Sequence, residues 1–412
     1  MRDTVAPVTS RRADLTFRHN AQRGRHGWLR LTPAYSLRLV EQILDASGPS
    51  ARTVLDPFSG SGTTVLGAAC RGWTALATDI NPFLIWLARV KSDRYSKHDL
   101  EQCHQRSLEI VRQLRQGRRR AALPPPMRNI ERWWNPSALS FLAALRDAIM
   151  ATLERRPRAL LQVAFCRTLM AVSSAAFNHQ SLSFGSGPAT SGSREDLRRM
   201  VGRFVDDVAV VLASGSENPS VRPRLWCRDA RHLDRLPVEP QSVGLVLTSP
   251  PYPNRMSYVR ELRPYLYWLG HLEDACQAGQ LDWEAIGGTW GMATSRLSYW
   301  HPQSDEPRRL LGSTLERVHD AHPKNGPLMA NYLGRYFEDM GTHLRSLRTL
   351  LSADARLHYI VGNSVFYGNL VSTERILARQ LRAAGYQRIS VTPVRKRNSK
   401  KELFEYHVQA RV

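Results

Sequence analysis

The chain has 412 residues, of which 58 are Lys or Arg and 36 are Asp or Glu, a formal net charge of +22. That length allows two or three domains or one large domain with insertions, and so basic a chain predicts attraction to polyanions, unless an arginine-rich genome has simply inflated Arg throughout. No apolar run approaches a membrane span, Arg2, Asp3, Arg11 and Arg12 stand where a signal peptide needs an apolar stretch, and Cys70, Cys103, Cys166, Cys227 and Cys276 form no Cys-x-x-Cys pair. A membrane protein, a disulfide framework and a metal site are therefore not expected, and a cytoplasmic protein of bacterial type is.

In chain order, residues 1–25 are polar, unpatterned and rich in Arg, which predicts a basic flexible arm. From Trp28 through Tyr35 the texture turns apolar, and Leu37, Leu39, Val40, Ile43 and Leu44 follow at helical spacing after a Thr32 to Ser36 turn. Thr53-Val54-Leu55-Asp56 reads as a strand, Gly60-Ser61-Gly62 as a tight turn and Thr63 to Ala69 as the start of a helix. Glycines there let the backbone approach a ligand, and free amides at the helix start offer it donors. A second strand, Trp73 to Thr78, ends in Asp79 about twenty residues on, where such folds place a carboxylate for ribose hydroxyls. Asp79 has a second open role, capping the helix that starts at Asn81-Pro82. Val65 stands where a dinucleotide fingerprint has its third glycine, and Asp56 puts negative charge near a pyrophosphate position, so a cationic or amino-bearing ligand fits better than NAD.

Residues 96–220 read as a helical insertion that helps hold substrate, with helices around 108–114, 137–153, 159–172 and 196–212. Arg118, Arg119 and Arg120 suit a solvated helix end or a phosphate contact, Pro124-Pro125-Pro126 a hinge-like break, and the Asn178 to Ser193 stretch a polar connection. Trp133 and Trp134 are more suited to a core than to base stacking. Arg224 to Cys227 is a third strand, followed by Asp229.

Val243 to Leu247 reads as a buried strand that Thr248-Ser249-Pro250-Pro251-Tyr252 must end, because two prolines cannot continue it. A hydroxyl, an outward carbonyl and a flat aromatic face then sit at the carboxyl end of a strand, a combination suited to an exocyclic amino group on a planar ring. Beyond it the pattern predicts a helix over 254–270, in which Arg255 and Arg260 either solvate the helix or reach substrate, and irregular structure with short helices over 271–325. A long helix over 329–351, a strand over 356–361 and a helix over 373–384 stopped by Gly385 follow. Two terminal strands, 387–392 and 403–412, flank the basic loop Arg395 to Lys401, which is either solvated or in contact with nucleic acid.

Taken together, Asp56-Pro57-Phe58-Ser59-Gly60-Ser61-Gly62-Thr63-Thr64 and Thr248-Ser249-Pro250-Pro251-Tyr252 resemble the motif pair of the S-adenosylmethionine-dependent DNA amino-methyltransferases. Ser-Pro-Pro-Tyr resembles the cytosine-N4 type, whereas Asp or Asn in place of Ser is typical of adenine-N6 and some RNA guanine-N2 enzymes. The resemblance covers roughly residues 26–95 and 221–412. It implies an α/β fold: a Rossmann-like seven-stranded sheet with an antiparallel C-terminal hairpin. It also implies S-adenosylmethionine bound by Tyr35, Asp56, Phe58, Gly60, Ser61, Gly62, Thr63, Asp79 and Asp229, the last toward the adenine amine; for Asp229 a turn cap before Leu233 is the competing role. The implied catalytic residues are Ser249, Pro250, Pro251 and Tyr252.

The activity so implied is methylation of the N4 amino group of cytosine in double-stranded DNA, with a cognate restriction endonuclease as candidate partner. The alternatives are an adenine-N6 DNA or RNA amino-methyltransferase, or a nucleic-acid-binding protein that kept the fold without catalysis. The last would be expected to lose Ser249, Tyr252 or Asp56, and all three are present.

Overall fold

The computed structural model describes residues 12–31, 35–48, 52–116, 123–176, 183–184, 194–254, 257–397 and 402–412. Its centre is a seven-stranded sheet, whose strands we number in chain order: β1 (Thr53–Asp56), β2 (Thr74–Asp79), β3 (Arg224–Cys227), β4 (Val243–Thr248), β5 (Leu351–Gly362), β6 (Gln387–Lys396) and β7 (Phe404–Arg411). The spatial order is β6-β7-β5-β4-β1-β2-β3. β1 to β5 run parallel, and β7 is antiparallel to both β5 and β6. From β1 the chain builds outward through β2 and β3, then returns to place β4 on the other side of β1. Open α/β sheets bind ligands at such a reversal, beyond the carboxyl ends of the strands. The expected α/β sheet with its antiparallel terminal hairpin is present.

The strands form where the sequence is apolar and β-branched, and burial on both faces explains why β1 and β4 do not alternate: Val54, Leu55, Leu245, Val246 and Leu247 are all inaccessible. One face is covered by the helix Gly326–Arg348, which buries Tyr332, Tyr336, Met340, Leu344 and Leu347. Gly385, at φ +84°, ends the helix Thr373–Ala383 as expected.

Helices Lys97–Arg115, Pro136–Met150, Arg155–Ala171 and Arg194–Ala213 lie between β2 and β3. They share one apolar core with the sheet's own helices Pro82–Ser92 and Tyr258–Trp268. Phe83 stacks on Tyr265 at 4.7 Å between ring centres, and Trp134 meets Trp268 edge-on at 5.6 Å. Trp133 and Trp134 are therefore core residues, 1% and 0% exposed. Arg118, Arg119, Arg120, most of the Asn178 to Ser193 stretch, Thr32 and Arg255 lie outside the described residues.

The expected basic arm needs correction over its described part, because residues from 12 onward pack against the body. Arg25 is 2% exposed. Its guanidinium donates to the carbonyls of Lys91 (3.0 Å), Asp93 (2.5 Å), Ser214 (3.4 Å) and Gly215 (2.7 Å) and to Asn218 Oδ1 (2.7 Å). Trp28 Nε1 donates to Ser214 Oγ at 2.8 Å. A guanidinium carries five donors and a full charge, so carbonyls gathered round it compensate its burial, and an arginine that composition assigns to solvent becomes a clip. It joins the N-terminal segment to both ends of the helical insertion. Arg25→Ala leaves these carbonyls without a donor and is expected to lower unfolding free energy by on the order of 3 kcal/mol, read as a lower denaturant midpoint at unchanged slope.

Candidate active site at the strand reversal

A cavity of about 330 Å³ opens at the carboxyl ends of the parallel strands. It is lined by Ser249, Pro250, Pro251 and Tyr252 after β4, by Phe58, Gly60, Ser61 and Thr63 after β1, and by Asp79 and Asp229 after β2 and β3. Tyr35 also reaches it. Thus the two sequence motifs, remote in the chain, meet at one site.

What joins them is a buried hydrogen bond: Thr248 Oγ1 donates to Asp56 Oδ1 at 2.6 Å, across 192 residues of chain. The Phe58 amide donates to the same oxygen at 3.2 Å. Burial pushes the Asp56 pKa up to about 6, against the pull of these hydrogen bonds. Asp56 does not line the cavity, so the expected charge facing the ligand is instead a strut beneath it. Gly62 likewise stands behind the wall: at φ +80°, a Cβ there would meet Ala88 Cβ at 2.9 Å, so glycine lets the helix Pro82–Ser92 close on the turn. Beside these, Tyr35 and Thr64 share a hydrogen bond through their hydroxyls.

Asp79 receives the Gly60 amide at 2.9 Å and the Asn81 amide at 2.9 Å, one on each carboxylate oxygen. Its pKa is raised to about 6 by burial, which the amides of Asn81 and Gly60 partly oppose. The helix after it is capped by Asn81, whose Oδ1 accepts from the Phe83 amide at 3.1 Å. Two buried polar atoms on cavity-lining residues, Ser59 Oγ and Asn81 Nδ2, have no hydrogen-bond partner among the described residues. Unpaired donors at a cavity wall are costly unless a ligand takes them up. Neither residue stood out in the sequence, where Asn81 read only as a cap position.

Asp229 caps the turn that follows it, the competing role, and also lines the cavity. Its carboxylate accepts from the Arg231 amide at 2.9 Å, which starts the next turn, and from the Arg231 guanidinium at 2.6 Å. Arg231 is pinned in turn by Asp339 at 2.8 Å. Phe58 rests against His343, 4.9 Å between ring centres. His343 lies between the Ala230 carbonyl (2.9 Å) and the Tyr359 hydroxyl (2.7 Å), and burial lowers its pKa to about 4, so it is neutral near pH 7.

The Pro-Pro-Tyr turn is held by tyrosines from two helices. Tyr336 donates to the Pro251 carbonyl at 2.7 Å, and the Tyr252 amide donates to the Tyr258 hydroxyl at 3.2 Å. Ser249 Oγ lies 3.0 Å from the Ile360 carbonyl, which can only accept, so the hydroxyl proton is committed there. Tyr252 OH, 3.3 Å away, then donates to Ser249 Oγ and leaves it one acceptor position. The Tyr252 ring is 8% exposed and carries the Arg397 guanidinium 5.3 Å from its centre. Gly362 makes room for both, since a Cβ there would come within 2.8 Å of the Tyr252 ring and 2.7 Å of Arg397.

The basic loop expected over Arg395 to Lys401 is corrected in part. Strand β6 runs on to Lys396, and Arg395 and Glu405 line the cavity, while residues 398–401 lie outside the described residues. The 271–325 stretch contains the helices Ala275–Glu284, Met292–Ser298, Glu306–Leu311 and Ser313–Asp320. Glu284, Ala285 and Ile286 from it form another part of the wall. Among the described residues, no helix is long and apolar enough to cross a membrane, and no group of His, Cys, Asp or Glu is placed to hold a metal ion.

No family model matches the chain. A Type II methyltransferase, M.BsoBI, from Geobacillus stearothermophilus is 31% identical over 105 residues, 25% of this chain. The match spans 21% of that relative's length. Among solved structures, an rRNA methyltransferase, aviRa, from Streptomyces viridochromogenes aligns over 96% of each chain at 12% identity, with a TM-score of 0.29 that carries no weight for fold or function.

Thr248→Val removes the hydroxyl that donates to Asp56 Oδ1 without changing side-chain volume much. The expected loss is about 1–3 kcal/mol of stability at pH 8, shrinking below pH 6 where Asp56 is protonated, as measured by urea unfolding across pH.

Proposed function

We propose that the chain transfers a methyl group from S-adenosylmethionine to the exocyclic N4 amino group of cytosine in duplex DNA. The observation that carries the amino-group part of this reading is the acceptor geometry at Ser249; the choice of cytosine rests on the Ser249-Pro250-Pro251-Tyr252 resemblance. With its proton given to the Ile360 carbonyl, Ser249 Oγ meets a ligand as an acceptor, as the Pro250 carbonyl must. An exocyclic amino group offers two hydrogens to such a pair.

The cavity suits the cofactor. Its size falls within the range of small-molecule sites, on the order of 300–1,000 Å³. Asp79, fixed by two amides, keeps lone pairs for ribose hydroxyls. Ser59 and Asn81 hold unpaired polar atoms at the wall, and Phe58, Ile80 and Leu84 give it apolar faces for a ring. Asp229, Ser61 and Thr63 line the same space. When bound, S-adenosylmethionine supplies an electrophilic methyl group on a sulfonium.

The chain's own residues then do the rest. A cytosine amino nitrogen is a weak nucleophile because its lone pair is spread into the ring. Ser249 and the Pro250 carbonyl hold its two hydrogens, favour a pyramidal nitrogen and orient its lone pair. Tyr252, with Arg397 on one face, offers the other to the base. The carbon–nitrogen bond would form as the methyl carbon–sulfur bond breaks, with its electron pair left on sulfur as a neutral thioether; the nitrogen takes on positive charge, which the two acceptors stabilise, and then loses one of those protons to water. A base stacked in a duplex does not reach this pocket, so it must be flipped out. The likeness to a Type II methyltransferase, though it spans a fifth of that protein, agrees with this class of chemistry, and the basic surplus suits a polyanionic substrate.

The deciding experiment incubates the protein with S-adenosylmethionine and mixed duplex DNA, digests to nucleosides and identifies the product by mass spectrometry. N4-methylcytosine is expected; N6-methyladenine, or product on RNA alone, would move the substrate. Ser249→Ala should lower the rate about 100-fold or more while leaving cofactor affinity unchanged. Asp79 also gives the binding a pH dependence. Its carboxylate is ionised above about pH 6 and is lost as an acceptor below it, so cofactor affinity by calorimetry should fall from pH 7.5 to pH 5, and Asp79→Asn should bind weakly with that dependence removed.

A further inference from the structure

We infer that Arg395, held by Glu405, reads the ring edge of the flipped base and selects cytosine over adenine; this rests on the cytosine-N4 reading above. Cytosine and adenine both carry an exocyclic amino group, so Ser249 and the Pro250 carbonyl cannot tell them apart. What differs is the adjoining edge. Next to the amino group, cytosine presents two acceptors, N3 and O2, whereas adenine presents one, N1, and then a carbon-bound hydrogen. Discrimination therefore needs donors set beside the amino pocket.

Arg395 and Glu405 stand there. They are directly opposed across β6 and β7, at the end of the hairpin that meets the carboxyl edge of the sheet. Glu405 is in turn paired with Gly362, the residue packed against the Tyr252 ring, and both side chains line the cavity with Ser249 to Tyr252. The pair is bidentate: Arg395 Nε donates to one Glu405 oxygen at 2.6 Å and Nη2 to the other at 2.5 Å. Glu405 is 8% exposed and spends both oxygens on Arg395, so it is not itself the reader. The fork uses two of the five guanidinium N–H groups and leaves Nη1 and the outer hydrogen of Nη2 for another acceptor. A planar donor set, neutralised and fixed by its partner, matches a planar edge with two adjacent acceptors.

A pair that merely closes the hairpin would affect stability alone, so the test reads base choice. Wild type, Arg395→Met, Arg395→Lys and Glu405→Gln are given S-adenosylmethionine and mixed duplex DNA; N4-methylcytosine and N6-methyladenine are quantified, and cofactor affinity is measured by calorimetry. Arg395→Met should lose on the order of 10-fold to 100-fold in N4-methylcytosine rate, with cofactor affinity within about twofold and residual product shifted toward adenine. Arg395→Lys should recover only part, because a point donor cannot span both acceptors, and Glu405→Gln should fall between it and wild type. Unchanged rate and base ratio in Arg395→Met overturn the inference, as does a loss matched by an equal loss of cofactor affinity. Wild type that makes no N4-methylcytosine overturns the parent reading instead, and is seen before any variant is made.

Discussion

The site depends on one hydrogen bond, from Thr248 to Asp56, that fastens the ends of β4 and β1 side by side. Each strand continues directly into a working turn, Phe58 to Thr63 from one and Ser249 to Tyr252 from the other. A carboxylate buried completely is expensive, and its pKa, raised to about 6, records the cost. The expense is met where it fixes geometry: a hydroxyl on the adjacent strand and the Phe58 amide both converge on a single oxygen. The parallel register of the two strands then sets how far the cofactor turn stands from the acceptor turn.

Around this strut the walls are supplied by elements that share no local sequence. Tyr258 and Tyr336 clamp the proline turn from two different helices. His343, neutral between Ala230 and Tyr359, braces Phe58. The Asp229, Arg231 and Asp339 chain anchors the end of β3 to the long helix. These groups are tied to partners in the protein, although Asp56 Oδ2 and Asp339 Oδ2 take no hydrogen bond among the described residues; of the buried polar atoms without a partner there, Ser59 Oγ and Asn81 Nδ2 belong to residues that line the cavity.

Much of this was legible in the chain itself. Strands such as Val243–Thr248 announce themselves by unbroken apolar runs, and the turns after them by Gly60, Gly62 and the paired prolines, whose backbone demands are local. Residues whose role is set by distant partners were not legible. Arg25 sits in a polar, arginine-rich stretch that looks solvated, and only the carbonyls of residues 91, 93, 214 and 215 show it to be a clip. Asp56 reads from the sequence as a charge facing the ligand, and only Thr248 beside it shows it to be a strut. Arg395 belongs to a basic loop by sequence and to the cavity by virtue of Glu405 across the hairpin. Composition shows that charge is present, and tertiary partners decide what it does.

The cavity wall runs in sequence from Phe17 to Glu405. No single folding unit owns it: the first packed segment, the sheet reversal, the 271–325 stretch and the last hairpin each contribute a side. Its formation is thus a non-local event, dependent on contacts of very high sequence separation, and belongs late in folding. A molecule bound there draws its stabilisation from the fully assembled chain and returns it to every contributing segment at once, by mass action on the native state. Occupancy of the pocket would make the two ends of the chain and its centre unfold as one unit.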